Sequence, residues 1–163
     1  LTPSAGQVVQ TLYAETRQGS ESVTWSIDTS NSSPQYGAAT GYRTYTVAQQ
    51  VSITKKHPDS YFMCWGYVGF SNYTSEPTMA HGIIITLDDV QAIDMMDYPY
   101  YDEAAFANVD NFYKPPMSVQ GVLQTNSGIS SHTIRLRPFG YIETGSGVTR
   151  YKGSSLIVQE IAQ

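Results

Sequence analysis

The chain has 163 residues, among them 13 tyrosines and 13 glycines, and a formal net charge of −5 at pH 7. This length suffices for one domain that buries a core without metals, and the single cysteine, Cys64, excludes an intramolecular disulfide. No run approaches the about 18 apolar residues that a membrane span requires, so we expect no membrane insertion. Residues 57–113 contain nine acidic side chains and no lysine or arginine, which argues against a nucleic-acid partner.

The first third of the chain predicts strands separated by turns. Residues 7–14 carry apolar side chains on both faces, and residues 23–27 alternate strictly between apolar and polar, as a half-buried strand does. Residues 31–41 are rich in serine, glycine and proline and predict a surface loop. Strand chemistry returns over residues 42–53, and Pro58 marks the turn that follows.

Residues 61–70 form the most aromatic strand candidate of the chain. Because apolar side chains occur on both of its faces, we expect the core on one side and a packed neighbouring strand or subunit on the other. Within this strand, Cys64 is interpreted as a small buried hydrophobe rather than a nucleophile. Another strand is predicted over residues 81–87.

Residues 88–113 break the strand pattern, because acidic residues alternate there with tyrosine and phenylalanine. A short helix is predicted around residues 102–109, where the local sequence favours helix. A connection of this length is either disordered or functional, and its aromatic content argues against disorder. We interpret it as an acidic, tyrosine-rich insertion in a single domain that spans residues 1–163.

The last third of the chain predicts strands again, over residues 118–124 and 132–137. The final stretch, residues 153–161, contains three consecutive apolar side chains that begin at Leu156. We expect an interior strand there that closes the fold, with one face on the core and the other on a second layer or a neighbouring subunit. The alternative is a strand in a single sheet with Ile157 turned to solvent.

These eight or nine predicted strands occur without any convincing βαβ unit, so the fold class is all-β. The predicted architecture is a two-sheet antiparallel jelly-roll sandwich, although a barrel fits the same signals.

Four segments, residues 7–11, 23–27, 51–54 and 151–161, taken in this order resemble the C-terminal jelly-roll domains of bacteriophage fibre and appendage proteins. The resemblance implies a homotrimer on the virion surface, in a tail fibre or capsid appendage, with the terminal strand near the three-fold axis. The acidic segment has no counterpart in that pattern. The same architecture occurs in trimeric ligands of the C1q and TNF type, so a secreted ligand is an alternative.

The residues that this resemblance implies at the trimer interface are Leu156 and Val158 in the terminal strand. A purely structural role, as a trimerisation domain or a capsid-decorating knob, is the first alternative to receptor binding.

No catalytic motif is present, so we expect a protein that is not an enzyme and needs no cofactor. The three histidines, His57, His81 and His132, are scattered singly and are interpreted as turn or strand-end residues. A glycan-cleaving site would need two carboxylates across a cleft, and carboxylates in a loop are usually solvated.

Calcium is a weaker possibility that rests on two pairs of acidic residues, Asp88 with Asp89 and Asp94 with Asp97. Their oxygens suit a hard cation, but the spacing matches no EF-hand loop, so no metal site is predicted.

The preferred function is a binding surface for a glycan or protein of the host cell. Tyrosine supplies a large contact area with a hydroxyl at low conformational-entropy cost, and flanking carboxylates accept hydrogen bonds from sugar hydroxyls. The alternative is that the same rings pack the loop against its own sheet or fill a seam between subunits. The predicted receptor-binding residues are Asp97, Tyr98, Tyr100, Tyr101, Asp102, Asp110, Phe112 and Tyr113.

Overall fold

The computed structural model describes most of the chain, and ten β-strands are the regular elements of that part. The described residues are 2–17, 21–26, 42–43, 47–70, 79–89, 91–97, 116–142 and 146–163. Within these ranges, no helix is long and apolar enough to cross a membrane.

The strands follow one another with short turns or longer segments between them. They are β1 (Val8–Thr16), β2 (Glu21–Ser26), β3 (Tyr42–Arg43), β4 (Gln49–Thr54), β5 (Ser60–Phe70), β6 (Met79–Leu87), β7 (Gln91–Asp97), β8 (Met117–Leu123), β9 (Ser131–Ile142) and β10 (Ser146–Ala162).

The strands form two five-stranded sheets built on one plan. In the first sheet the order is β1-β10-β5-β8, and β2 pairs with the start of β10 while β1 pairs with its second half. In the second sheet the order is β3-β9-β6-β7, and β4 pairs with the first half of β9 while β3 pairs near its end. Each sheet therefore has one long strand with two short strands end to end along one edge.

The chain crosses repeatedly between the sheets, and every described strand pair is antiparallel. Strands β1 and β2 belong to the first sheet, β3 and β4 to the second, β5 to the first, β6 and β7 to the second, and β8, β9 and β10 alternate. This order is the double-sheet jelly roll, so the predicted fold class is confirmed. The described strands make two separate sheets, which decides against the barrel alternative.

The core lies where the inward faces of the two sheets meet. Alternation dictates which side chains enter it, as in β4, where Val51 and Ile53 are buried and their neighbours exposed. Burying each such side chain stabilises the fold by roughly 1.5–3 kcal/mol relative to leaving it in water. The core includes Val51, Ile53, Phe62, Cys64, Val68, Ile83, Ile85, Leu87, Met117, Val119, Leu123, Ile134, Leu136, Leu156 and Val158.

A glycine in β5 lets the two sheets approach closely at the centre of this core. A Cβ atom at Gly66 would lie 2.7 Å from Leu136 Cδ1 and 3.1 Å from Ile85 Cδ1, both in the second sheet. Gly66 is the register partner of Leu156 in the terminal strand, so the space that a side chain would fill lies beside that strand. Glycine therefore packs best here, because a larger residue would require the side chains of Leu136 and Ile85 to shift.

The terminal strand is interior, as predicted, because β10 lies between β1 and β5. The prediction missed β7, which lies within the supposed insertion and forms an edge of the second sheet. It also divided β9 and β10 into shorter pieces. The predicted helix at residues 102–109 and the predicted loop at residues 31–41 lie outside the described residues.

Candidate functional site

The predicted receptor-binding residues lie almost wholly outside the described part of the chain. Asp97 is the exception, because it is the last residue of β7 and its backbone pairs with His81 of β6. Strands β2, β5, β7 and β9 all end at this end of the sandwich, opposite the end that holds residues 2–7. The predicted residues outside the described ranges are Tyr98, Tyr100, Tyr101, Asp102, Asp110, Phe112 and Tyr113.

The predicted trimer contacts Leu156 and Val158 lie inside the single chain. Both side chains are 0% exposed and belong to the core between the sheets. Their register partners in β5 are Gly66 and Cys64, which are buried as well. A contact with another subunit therefore has to use the opposite face of this strand, where Ile157 lies half-buried.

The outward face of the first sheet carries apolar and aromatic side chains in rows across four strands. The central row runs from Tyr13 through Ile157 and Trp65 to Gln120. We call this surface the outer face of the first sheet. It consists of Thr11, Tyr13, Glu15, Met63, Trp65, Tyr67, Ser118, Gln120, Val122, Ser155, Ile157 and Gln159.

Three large side chains on this face are strongly exposed, namely Tyr13 (54%), Tyr67 (43%) and Val122 (42%). Its one charged member is Glu15, which accepts a hydrogen bond from Arg17 at 2.8 Å. An exposed, nearly uncharged patch of aromatic and aliphatic side chains is typical of a surface that contacts another protein.

The outward face of the second sheet differs because it carries a group of charged side chains that pair with one another. Arg135 and Arg137 of β9 both donate to Asp89, which follows β6. Their register partners on the neighbouring strand are Thr86 and Ile84 of β6, both 0% exposed. The two guanidinium groups therefore meet a carboxylate beside side chains of β6 that are fully buried.

Asp89 lies in a tight turn with Asp88, and both residues have positive φ angles of 59° and 51°. Aspartate tolerates this left-handed conformation better than most residues. Burial raises the pKa of the Asp89 carboxyl, but the hydrogen bonds and charges of Arg135 and Arg137 outweigh it and hold the pKa below its usual value. The Asp89 carboxylate is therefore hydrogen-bonded to Arg135 and Arg137.

A buried carboxylate closes the end of the sandwich that holds residues 2–7 and 163, which we call the terminal end. Glu160 is 0% exposed and accepts hydrogen bonds from the backbone N–H groups of Lys56 and His57 and from Ser60 Oγ at 2.7 Å. Gln10 Nε2 donates to the same carboxylate. Burial raises the pKa of Glu160, but these donors outweigh it and leave the pKa below its usual value.

Lys55 lies in the same turn and is also buried, at 1% exposure. Its Nζ donates to the carbonyl oxygens of Pro58 at 2.8 Å and Asn126 at 3.0 Å. Carbonyl oxygens partly offset the cost of burying an ammonium group. Lys55 and Glu160 thus hold the β4–β5 turn against the ends of β8 and β10, which is a structural role.

One further chemical prediction, the burial of Cys64, is tested by the structure. Cys64 is 0% exposed, and burial raises the pKa of its thiol to about 12, so the interpretation as a buried hydrophobe is confirmed. Among the described residues, no group of three or more His, Cys, Asp or Glu side chains is placed to hold a metal ion.

Sequence reasoning missed Glu160 and the Asp88–Asp89 turn as polar centres. A signal for Glu160 was present, because its parity places it on the same face as Leu156 and Val158. A charged residue on a core-facing position predicts either a strand end or a dedicated set of donors. The partners of Asp89 lie 46 and 48 residues away, and no local pattern indicates them.

Comparison with known proteins identifies a shared fold. No model of a known protein family matches the sequence, and no curated protein is similar to it. The VP2 subviral particle of infectious bursal disease virus matches with a TM-score of 0.51 and 14% identity, over 96% of this chain and 34% of that one. A structure of the Gx strain of the same virus matches with a TM-score of 0.50 and 11% identity, over 95% of this chain and 33% of that one.

The chain thus spans about a third of the length of the viral structures it matches. At this level of identity the likeness concerns the fold alone. The jelly-roll part of the resemblance to viral proteins is therefore confirmed, and the chain has a β-sandwich fold that also occurs in a viral particle protein.

Proposed function

We propose that this chain is a structural module of a virion that packs against further copies of itself through the outer face of the first sheet. The observation that carries the proposal is the exposure of Tyr13, Tyr67 and Val122 together on one nearly uncharged face. The likeness to a protein described as a subviral particle supports a virion context, at the level of fold.

Charge supports a second copy as the occupant of this face. The chain carries a formal net charge of −5, so two copies repel each other wherever acidic surfaces meet. The outer face of the first sheet has one acidic side chain, Glu15, and Arg17 pairs with it. Two copies can therefore bring these faces together without placing like charges in contact, while burying aromatic side chains.

The finer proposal is a homotrimer, which rests on the resemblance to phage fibre and appendage domains. In that arrangement the residues next to the three-fold axis belong to the outer face, around Ile157 and Trp65. Leu156 and Val158, on the other face of β10, pack in the core of each subunit. A tail fibre and a capsid appendage are both consistent with this arrangement.

Light scattering on matched variants tests self-association. We expect a mass near three times the chain mass of 18.0 kDa for the unmutated protein. Tyr67→Glu should lower the mass towards one chain without changing the circular dichroism spectrum, because Tyr67 is already partly in water. Ser52→Glu, an exposed position on β4 in the other sheet, is the control and should keep the mass. A single-chain mass for unmutated protein at high micromolar concentration would overturn the proposal.

Attachment to a host-cell glycan or protein is the second proposed role, assigned to residues 97–113. It is supported by the aromatic and acidic composition of that segment, and by the described strands on either side of it, since β7 ends and β8 begins at the end of the sandwich opposite the terminal end. Replacing residues 98–113 by a short glycine-serine linker keeps β7 and β8 intact. We expect the variant to assemble as before and to lose adsorption to host cells; unchanged adsorption would refute this role and leave the structural one.

A further inference from the structure

A serine, a histidine and an aspartate form a continuous hydrogen-bonded chain at the terminal end of the sandwich. Ser130 Oγ lies 2.7 Å from His132 Nε2, and His132 Nδ1 lies 2.7 Å from Asp88 Oδ2. Both hydrogen bonds have the length expected for a nucleophile with its base and for a base with its orienting carboxylate. Asp88 lies in the turn after β6, and Ser130 immediately precedes β9 while His132 lies at its start, and β9 pairs with β6.

The surroundings fix the carboxylate and the imidazole. The other Asp88 oxygen accepts a hydrogen bond from the Thr133 backbone N–H at 2.7 Å, and the Asp88 N–H donates to the Thr133 carbonyl at 2.9 Å. The ring of buried Phe62 packs edge-on against the imidazole, with ring centroids 5.5 Å apart. The imidazole is therefore held in one orientation.

The carboxylate also determines the proton arrangement on the ring. Burial raises the pKa of Asp88, but the hydrogen bonds from Thr133 and His132 outweigh it and hold the pKa below its usual value. An ionised carboxylate can only accept, so the Nδ1 of neutral His132 carries the hydrogen and Nε2 is left as the acceptor. The hydroxyl of Ser130 then donates to Nε2, which is the arrangement that activates a serine nucleophile.

We propose that Ser130, His132 and Asp88 form a hydrolytic triad that cleaves esters. Ser130 Oγ bonds to the acyl carbon as its proton passes to His132 Nε2, and the alcohol leaves with that proton as the ester bond breaks. Water then attacks the acyl-serine, gives a proton to Nε2 and releases the carboxylic acid, and the proton returns to Ser130. Asp88 is a positioning residue that holds the tautomer.

The exposure of the site indicates the class of substrate. Ser130 is exposed, and the side chain of the preceding residue, Ile129, is 59% exposed, so both lie at the surface of this end of the sandwich. A surface position of this kind suits a short acyl ester carried on a large polymer, such as an O-acetylated polysaccharide, because only the ester has to reach the serine. The sequence predicted no enzyme because its histidines belong to no catalytic motif. His132 and Asp88 are 44 residues apart in the chain and come together only in the fold.

Covalent labelling of the full chain tests the proposal. A fluorophosphonate probe should add to Ser130, as located by peptide mass spectrometry, and the protein should hydrolyse 4-nitrophenyl acetate. Ser130→Ala should abolish the adduct and lower hydrolysis to the level without protein. Ser131→Ala is the matched control, since Ser131 is exposed but pairs with Thr54 Oγ1 at 2.8 Å, and it should leave both readouts unchanged.

The positioning role of Asp88 has its own readout. Asp88→Asn should lower the rate at least about a hundredfold, and should move the imidazole hydrogen from Nδ1 to Nε2 in the ¹⁵N spectrum of His132. A merely structural hydrogen-bond network predicts a lower melting temperature with no adduct in any variant. Absence of a Ser130 adduct in the unmutated protein, or equal labelling of Ser131, would overturn the proposal.

Discussion

The two outward faces of the sandwich differ although the two sheets share one plan. On the second sheet, Arg135 and Arg137 lie beside Thr86 and Ile84, which are fully buried, and both donate to Asp89. On the first sheet the ion pair of Arg17 with Glu15 lies at the end of β1 and leaves Tyr13 54% exposed. The outer face of the first sheet leaves its apolar side chains exposed, so it is the surface available to another molecule.

The largest effect should separate the two faces of β10. Val158→Asp places a carboxylate in the core at a fully buried position, and we expect it to cost at least about 4 kcal/mol and to unfold the domain. Ile157→Asp, one residue away on the outer face, should remain folded and lose self-association. Circular dichroism and light scattering on both variants check this. Equal unfolding by the two variants would contradict the assignment of faces.

Glu160 should dominate the acid sensitivity of the fold. Its folded pKa lies below that of the unfolded chain, for which the reference value is 4.5, so its contribution is complete above that value. The contribution is lost as pH falls through the lowered folded pKa. Glu160→Gln should cost at least about 2 kcal/mol at pH 7, because backbone donors lose a charged acceptor. Urea unfolding from pH 3 to 7 should show a flatter profile for the variant.

The control for this experiment is Asp59→Asn, since Asp59 is an exposed acid at the same end of the sandwich. Its stability profile should follow that of the unmutated protein. If Glu160→Gln kept the full slope between pH 3 and 5, the acid sensitivity would belong to Asp88 and Asp89, whose pKa values are lowered too.

A smaller loss is expected where the inward faces approach most closely. Gly66→Ala puts a methyl group 2.7 Å from Leu136 Cδ1, and overpacking of this kind costs about 1–3 kcal/mol. Leu136→Val removes the clashing methyl group, so the double variant should be more stable than the sum of the two single losses predicts. Additive losses in urea unfolding would contradict the proposed close contact.

The smallest effect should come from removing the charge of Asp89 on the outward face of the second sheet. Asp89→Asn keeps a residue that tolerates positive φ but removes the charge that Arg135 and Arg137 share. We expect a loss of about 1 kcal/mol that shrinks in high salt, because Asp89 is partly exposed. The mass in light scattering should stay unchanged. A variant that began to associate through this sheet would show that the arginine pair protects it.

Much of the fold was predictable because alternation of apolar and polar residues reports which face of a strand is buried. β4 shows this directly, since Val51 and Ile53 are buried and Ser52 is exposed. β7 escaped because an edge strand with one neighbour tolerates charges, and Asp94 and Asp97 made its sequence look like part of a loop.

The site was less predictable than the fold. Three consecutive apolar residues that begin at Leu156 do not indicate which face of the strand meets the core. That depends on the neighbouring strand and on the space at Gly66. The chain from Asp88 to Ser130 joins two turns that are distant in sequence, and pairing of β6 with β9 brings them together. Such contacts follow from topology, which a local pattern does not contain.

The position of β10 also bears on how the domain is made. This strand is the last of the described strands in chain order but lies between β1 and β5, so the first sheet stays incomplete until β10 pairs with both. Until β10 pairs, of the described strands β5 has only β8 beside it and β1 has no neighbour in the first sheet, and the β1–β10 pairing joins residues that are far apart in sequence, which is slow. We therefore expect refolding of the chain to pass through species whose unpaired strand edges favour aggregation.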